Sequence, residues 1–128
     1  MAIDINHTLD YPPAKVWEII GDPGRADWVT GVTAIEFDGE VRRFKMDGAG
    51  DLAERIVTLD HEKMHIAYSV IESAAPLTSH LASMSLEPTP AGTRLRWRTD
   101  VQPQQVEPFI RQGMEGCLEK LEAVLSSS

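Results

Sequence analysis

The chain has 128 residues and a formal net charge of −8 at pH 7. This length suits one domain with its own core, over residues 1–128, and the charge argues against a nucleic-acid partner or an anionic membrane surface. The single cysteine, Cys117, excludes an internal disulfide and favours a reducing, cytoplasmic location. The start, MAIDINHTLD, has no basic region and no apolar run, so we expect no signal peptide and no membrane insertion.

The first third of the chain predicts one strand and two short helices. Apolar and polar residues alternate over residues 3–9, which is typical of a half-buried strand. Residues 13–20 begin with proline and form a short helix, which the following glycines and proline end. Residues 25–29 can form a second short helix that carries Trp28.

Six further strands follow, separated by clusters of Gly, Pro, Asp and Ser that predict hairpin turns. A strongly curved antiparallel sheet must cover its concave face, and a C-terminal helix over residues 107–125 is the only element long enough. We therefore predict an α+β fold in which a curved, antiparallel, seven-stranded sheet wraps around this helix. The six strands are predicted over residues 32–37, 41–46, 52–59, 65–72, 79–87 and 93–101.

The C-terminal helix has an apolar face with an unusual centre. Apolar residues recur at three- and four-residue steps from Val106 to Leu125. Gly113 and Cys117 are nevertheless small, although glycine inside a helix costs on the order of 1 kcal/mol relative to alanine. Two explanations stay open: the backbone approaches a strand closely here, or the helix roofs a cavity.

Two patterns that would indicate other functions are better explained by structure. Residues 61–65 match the zinc motif H-E-x-x-H, but they fall at a hairpin turn, where the two histidines do not share one helical face. We therefore expect no metal and no cofactor. Arg94, Arg96 and Arg98 lie on one face of the last strand, where a solvated face opposite the acidic first strand is expected rather than a nucleic-acid site.

Three polar residues on consecutive strands are the candidate site. Glu54, Tyr68 and His80 can be brought together by hairpin registers that the sequence allows. A carboxylate, a phenol and an imidazole beneath a helix with small residues are typical of a binding cavity, and they could also carry out acid–base chemistry. Glu54 could instead face solvent, with His80 as a hydrogen-bonded core residue; both interpretations remain open here.

Nearly the whole chain resembles a known superfamily. The stretches PAKVWEIIGDP (13–23), GDLAERIVTLD (50–60), YSVIE (68–72) and SMSLEPTPAGTRLRW (83–97), together with Trp28 and the closing helix, resemble the helix-grip proteins called SRPBCC or START-related. This superfamily includes birch-pollen-allergen-like and polyketide cyclase/dehydrase-like proteins. The resemblance implies the fold described above and a ligand cavity, but the superfamily hosts carriers, receptors and enzymes on one scaffold.

Some strands are similar to those of the plant abscisic acid receptors. That resemblance implies cavity positions at Glu54, Tyr68, Val70, His80, Phe109, Gly113 and Cys117. Residues 48–51 are too short for the receptors' gate loop, so a hormone-receptor role is not implied. The chain is more similar to short bacterial polyketide cyclase/dehydrase-like proteins.

Three functions are consistent with these features. The first is binding of a hydrophobic small molecule, lipid- or polyketide-like, by a monomer or homodimer. The second is a polyketide cyclase, dehydratase or aromatase, with His80 as general acid or base, Glu54 as its partner and Tyr68 stabilising an enolate. The third is a partner-binding protein that uses Val57 and Leu81 on the outer face. The expected ligand-binding residues are Trp28, Phe44, Met46, Glu54, Tyr68, Val70, His80, Met84, Trp97, Phe109, Gly113 and Cys117.

Overall fold

The computed structural model describes residues 2–74 and 76–127. Seven antiparallel strands form one sheet in the order β1-β7-β6-β5-β4-β3-β2. A helix follows β1, and a 3₁₀ turn and a second helix follow β7. The elements are β1 (Ile3–Leu9), α1 (Pro13–Ile20), β2 (Ile35–Phe37), β3 (Val41–Met46), β4 (Gly50–Asp60), β5 (His65–Ser73), β6 (Ser79–Thr89), β7 (Gly92–Gln102), the 3₁₀ turn (Gln104–Val106) and α2 (Glu107–Ser127).

The predicted fold is confirmed. β2 to β7 form a meander in which each strand pairs with the next, and β1 closes the sheet by pairing with β7, with Ile5 opposite Trp97. The predicted bounds of β1, α1 and β3 agree with the structure, and the long C-terminal helix begins at Glu107 as expected. Among the described residues, no helix is both long and apolar enough to cross a membrane.

The inner face of the sheet is organised in rows. Because successive side chains point to opposite faces, one residue from each strand contributes to each row. The first row passes through Tyr68, and the second, next to it, passes through Ile66. Both rows are almost wholly buried against the C-terminal half of α2. Strand pairing places Ile56, Tyr68, Ala82, Thr99 and Ile3 in the first row, and Leu59, Ile66, Met84, Trp97 and Ile5 in the second.

The outer face carries ion pairs between neighbouring strands. Arg96 lies 2.7 Å from Asp4 across the β1–β7 pair, and Arg94 is paired with Glu87. These side chains are substantially exposed, so each pair contributes little to stability. The arginines of β7 are therefore a solvated face paired with carboxylates.

Two details of the predicted fold are wrong. Residues 25–29 do not form a helix; Val29 N–H donates to the Ala26 carbonyl at 3.0 Å in an isolated turn. A segment this short cannot offset the cost of helix nucleation, and burial of Trp28 fixes its path instead. Alternation along residues 65–72 predicts that Glu72 shares a face with Tyr68 and Val70, but Glu72 does not lie on the inner face with Tyr68. The register shifts between Ala53 and Glu54, which turns Glu72 toward the outer face, 2.8 Å from Arg43.

Candidate functional site

The two glycines of α2 serve different structural roles. A methyl group at Gly116 would lie 2.9 Å from the hydroxyl oxygen of Thr30, so this glycine permits close approach of the loop that precedes β2. A methyl group at Gly113 would meet no described atom within 4 Å outside its helix. Close packing therefore explains Gly116, whereas Gly113 borders open space.

The loop that carries Trp28 is fastened to the middle of α2. The backbone N–H of Thr30 donates to Sγ of Cys117 at 3.4 Å, and Lys120 Nζ donates to the Val29 carbonyl at 3.2 Å. Burial raises the pKa of the Cys117 thiol, so the thiol stays protonated at neutral pH and acts as a packing group. This part of the interior is filled.

The N-terminal half of α2 is less buried than the C-terminal half. The first buried residue of α2 is Met114, whose sulfur accepts a hydrogen bond from Thr99 at 3.5 Å. The turns of α2 before Met114 lie between the Met114–Thr99 contact and the end of β7. At that end of the strand, Val101 pairs with His80. Every residue from Glu107 to Gly113 is half-buried or exposed, and 61% of Phe109 is exposed. The exposed half of α2 therefore lies beside the end of the sheet that holds His80.

A nearly buried ion pair lies on the inner face at this end of the sheet. Arg42 and Glu54 are paired residues of β3 and β4, and Arg42 Nε lies 2.7 Å from Glu54 Oε1. Only 7% of the Arg42 side chain and 12% of the Glu54 side chain are exposed. The Arg42 guanidinium also lies over the ring of Tyr68, 4.7 Å from its centroid, as in a cation–π contact. The ion pair is thus part of the same cluster as Tyr68.

Tyr68 is held from two sides and stays protonated. Trp97 Nε1 donates to the phenol oxygen at 3.2 Å. Burial, assisted by the negative charge of Glu54, raises the pKa of Tyr68 well above its ordinary value of 10.0. Among the described residues no acceptor takes the phenol proton, so the O–H of Tyr68 is an unused donor.

His80 replaces part of the hydrogen bonding between two strands. Paired residues of β5 and β6 end at Tyr68 and Ala82. Beyond this point the backbone N–H of Val70 donates to His80 Nδ1 at 3.1 Å. The ring centroids of Tyr68 and His80 are 6.0 Å apart. Burial lowers the pKa of His80, so the ring is neutral at pH 7; with Nδ1 as acceptor, its proton is on Nε2.

The structure thus brings together the predicted polar residues Glu54, Tyr68 and His80. It places other predicted ligand-binding residues differently. Met84 and Cys117 belong to the packed core. Phe109 is largely exposed rather than enclosed. The rings of Trp28 and Trp97 lie 5.8 Å apart with their planes inclined by 53°, and Trp97 contacts Tyr68. Val70 donates to His80, and Gly113 faces open space. Phe44 and Met46 are half-buried on β3.

Arg42 is a site residue that the sequence interpretation missed. Phe44 and Met46 were predicted to bind the ligand, and a period of two puts Arg42 on the same face of the strand. The signal was therefore present in the sequence. Arginine is seldom buried unless it is paired, and its partner lies on another strand, so alternation alone gave no reason to expect burial.

The two histidines of the H-E-x-x-H stretch make structural hydrogen bonds. His61 Nδ1 accepts a hydrogen bond from Trp17 Nε1 at 3.0 Å, which fastens the β4–β5 turn to α1. His65 Nδ1 lies 2.7 Å from the hydroxyl of Ser85 on the neighbouring strand. Over residues 2–74 and 76–127, no group of His, Cys, Asp and Glu side chains has metal-binding geometry.

Two shallow depressions open to solvent elsewhere. One, of about 320 Å³, lies where β5 and β6 diverge, beside the loop that joins them, and Val70 and Leu77 are among its lining residues. The other, of about 520 Å³, lies at the outer face and includes Arg94 and Arg96. The first reaches Val70 and so adjoins the candidate site, whereas the second is formed by residues of the outer ion pairs.

A seven-stranded antiparallel sheet closed over a long C-terminal helix defines the helix-grip class of fold, and solved structures agree. An uncharacterized protein from Bacillus thuringiensis superimposes with a TM-score of 0.86 at 18% identity, covering 98% of both chains. The protein XoxI from Bacillus cereus gives 0.85 at 17% identity, covering 98% of this chain and 94% of that one. Ara h 8.0201 gives 0.78 at 16% identity, covering 100% of this chain and 99% of its own.

Residues 2–126 match the family described as "Polyketide cyclase / dehydrase and lipid transport", and the chain belongs to this family. A comparison with proteins of curated function finds no match. The structural likenesses are at low identity and show the fold alone. The family description covers both enzymes and carriers, so the choice between them depends on the residues of this chain.

Proposed function

We propose that this protein binds a hydrophobic small molecule, lipid- or polyketide-like, between the N-terminal half of α2 and the inner face of the sheet. Glu54, Tyr68 and His80 would orient the polar part of the ligand. The apolar part would lie against Val70 and the half-buried residues of β3. The family description, which names lipid transport, supports this class of function.

The observation that carries the proposal is the open side of Gly113. Helix propensity disfavours glycine at this position, and no packing contact compensates for the cost. The helix begins at the end of the sheet where Val70 and His80 are half-buried. An apolar surface with a few convergent polar groups is the usual composition of a small-molecule site.

Filling the space at Gly113 tests the proposal. The protein is first examined by native mass spectrometry for a co-purified ligand, and then titrated with Nile red, a neutral fluorescent hydrophobic probe. Gly113→Leu should weaken Nile red binding by at least about tenfold, because the added side chain occupies the space of the ligand. Gln112→Leu is the matched control: it adds leucine at the neighbouring exposed position and should bind as the wild type does.

Thermal unfolding separates loss of the site from loss of the fold. Gly113→Leu should unfold at the same temperature as the wild type or higher, since leucine favours the helix. Unchanged Nile red binding by a folded Gly113→Leu would contradict the proposed location. Equal weakening by Gln112→Leu would show that the probe binds to the surface of the helix instead.

The alternative is an enzyme that uses the same site, and the family description names polyketide cyclase and dehydrase. The neutral His80, protonated Tyr68 and ionised Glu54 would supply hydrogen-bond donors and one base. Incubation of the purified protein with a poly-β-ketone substrate distinguishes the two. If the wild type turns the substrate over, and Glu54→Gln still binds it without turnover, the protein is an enzyme. Binding without turnover of any such substrate would favour a carrier.

A further inference from the structure

The charges of the candidate site already balance. On the inner face, Arg42 contributes one positive charge and Glu54 one negative charge, and they contact each other at 2.7 Å. The imidazole of His80 is turned toward the backbone of Val70 and the phenol of Tyr68 toward Trp97, both as uncharged groups. The cluster therefore has no unpaired cation with which a negatively charged ligand could pair.

Besides N–H groups of Arg42, which donates through Nε to Glu54 and through Nη1 to the Pro23 carbonyl, three polar atoms of the cluster remain without a partner among the described residues. Glu54 uses Oε1 for Arg42, which leaves Oε2 as an acceptor. Tyr68 accepts from Trp97 and keeps its own proton as a donor. His80 uses Nδ1 for Val70, which leaves the proton on Nε2 as a second donor. Apart from the N–H groups of Arg42, the cluster therefore has two free donors and one free acceptor.

A carboxylate in this place would be unfavourable for two reasons. It must lose its water on entering an apolar site, and that loss is offset only by a charge partner. If the guanidinium of Arg42 left Glu54 to pair with the ligand, Glu54 would be a buried, uncompensated negative charge. If it bridged both carboxylates through its remaining N–H groups, the buried cluster would carry a net negative charge. The net charge of −8 on the chain disfavours an incoming anion further.

We infer that the ligand is an uncharged molecule that carries both a carbonyl-type acceptor and a hydroxyl donor, and that carboxylic acids such as free fatty acids are discriminated against. The carbonyl accepts from Tyr68 O–H and His80 Nε2–H, and the hydroxyl donates to Glu54 Oε2. This inference depends on the proposed function, because it specifies the chemistry of that same site.

A pair of probes of equal shape tests the inference. 6-Hydroxy-2-acetylnaphthalene and 6-hydroxy-2-naphthoate differ only at the carbonyl carbon. The ketone has a methyl group where the acid has a charged oxygen. At about pH 7.5 the acid is ionised. Calorimetric titration of the wild type should show the neutral ketone binding at least about tenfold more tightly. Equal or tighter binding of the naphthoate would overturn the inference.

Removing the negative charge of the cluster should change this preference. Glu54→Gln keeps the shape of the side chain and leaves the positive charge of Arg42 without a carboxylate partner. The naphthoate should then gain affinity relative to the ketone by at least about tenfold. An unchanged ratio in the folded variant would show that charge balance does not determine the preference.

Gly113→Leu distinguishes failure of the inference from failure of the proposed function. Both probes should lose affinity when this space is filled. If neither probe binds the wild type, or if Gly113→Leu binds both probes unchanged, the proposed site is wrong and the inference fails with it. If Gly113→Leu abolishes binding but the naphthoate is preferred in the wild type, the site stands and only the inference about its ligand is wrong.

Discussion

Arg42 and Glu54 form an ion pair directly across β3 and β4, and almost all of both side chains is removed from solvent. Burying two charges costs several kcal/mol per ion, and the attraction between them approximately offsets this cost. The pair is therefore a weak source of net stability. Loss of one partner, however, leaves an uncompensated charge in the interior, which is strongly unfavourable.

A double-mutant cycle tests this property. Arg42→Met and Glu54→Leu alone should each lower the free energy of unfolding by about 2–4 kcal/mol. The double variant should recover most of that loss, because apolar residues of similar volume replace both charges. Urea unfolding measures all four proteins. Losses that simply add would show that the two side chains act independently.

The exposed pair formed by Arg43 and Glu72 is the matched control. It joins the same region of the sheet on the outer face, with 54% and 63% of the side chains exposed. Its coupling energy in the corresponding cycle should be below about 1 kcal/mol, because water screens the two charges. A coupling as large as that of the inner pair would contradict the role assigned to burial.

His80 should make stability depend on pH. Its pKa is lowered in the folded protein from the ordinary value of 6.5, chiefly by burial. As the pH falls below about 6.5, the unfolded chain takes up the proton first, so stability that is present above this pH is lost progressively toward the lower folded pKa. The sign is therefore a loss of stability on acidification.

The variant His80→Asn isolates this contribution, since asparagine retains an oxygen that can accept from Val70 N–H but does not titrate. The free energy of unfolding is measured for both proteins between about pH 8 and 5. The stability of the wild type relative to the variant should decrease as the pH falls. A difference in free energy of unfolding that stays constant across this range would contradict the lowered pKa of His80.

The two glycines of α2 should respond differently to alanine. Gly113→Ala should raise the free energy of unfolding by about 0.5–1 kcal/mol, because alanine favours the helix and meets no neighbour. Gly116→Ala should gain less or lose stability, since its methyl group would press on Thr30. Chemical denaturation of both variants checks the prediction. Equal increases in the free energy of unfolding would show that the loop at Thr30 moves aside without loss of stability.

His61 should contribute to stability through Trp17 and not through zinc. His61→Ala removes the acceptor of the indole N–H and should cost about 1 kcal/mol. Added zinc should leave the unfolding temperature of the wild type unchanged, whereas a ligand that binds the folded state would raise it. A zinc-dependent rise that His61→Ala abolishes would contradict the structural role of this turn.

Much of the fold could be predicted because alternation and helical periodicity were nearly uninterrupted. β1, α1 and β3 have the predicted bounds, and Glu54, Tyr68 and His80 meet as the hairpin registers allowed. The misses follow from what periodicity cannot show. The shift at Ala53 moves Glu72 to the outer face without any local signal.

Exposure along α2 was the other property that the sequence could not determine. The apolar stripe that includes Phe109 continues without a break into the buried half of the helix. How closely each turn approaches the sheet depends on where Met114 meets Thr99, a contact between distant parts of the chain. The stripe therefore indicated one buried face, whereas the structure covers only the C-terminal part of it.

The hydrogen bond from Val70 to His80 has an evolutionary consequence. Residue 80 belongs both to the candidate site and to the seam between β5 and β6. Evolution cannot change this side chain without altering both the candidate site and the cohesion of the two strands. A substitution at Gly113, which meets no neighbour outside its helix, leaves the pairing of the strands intact.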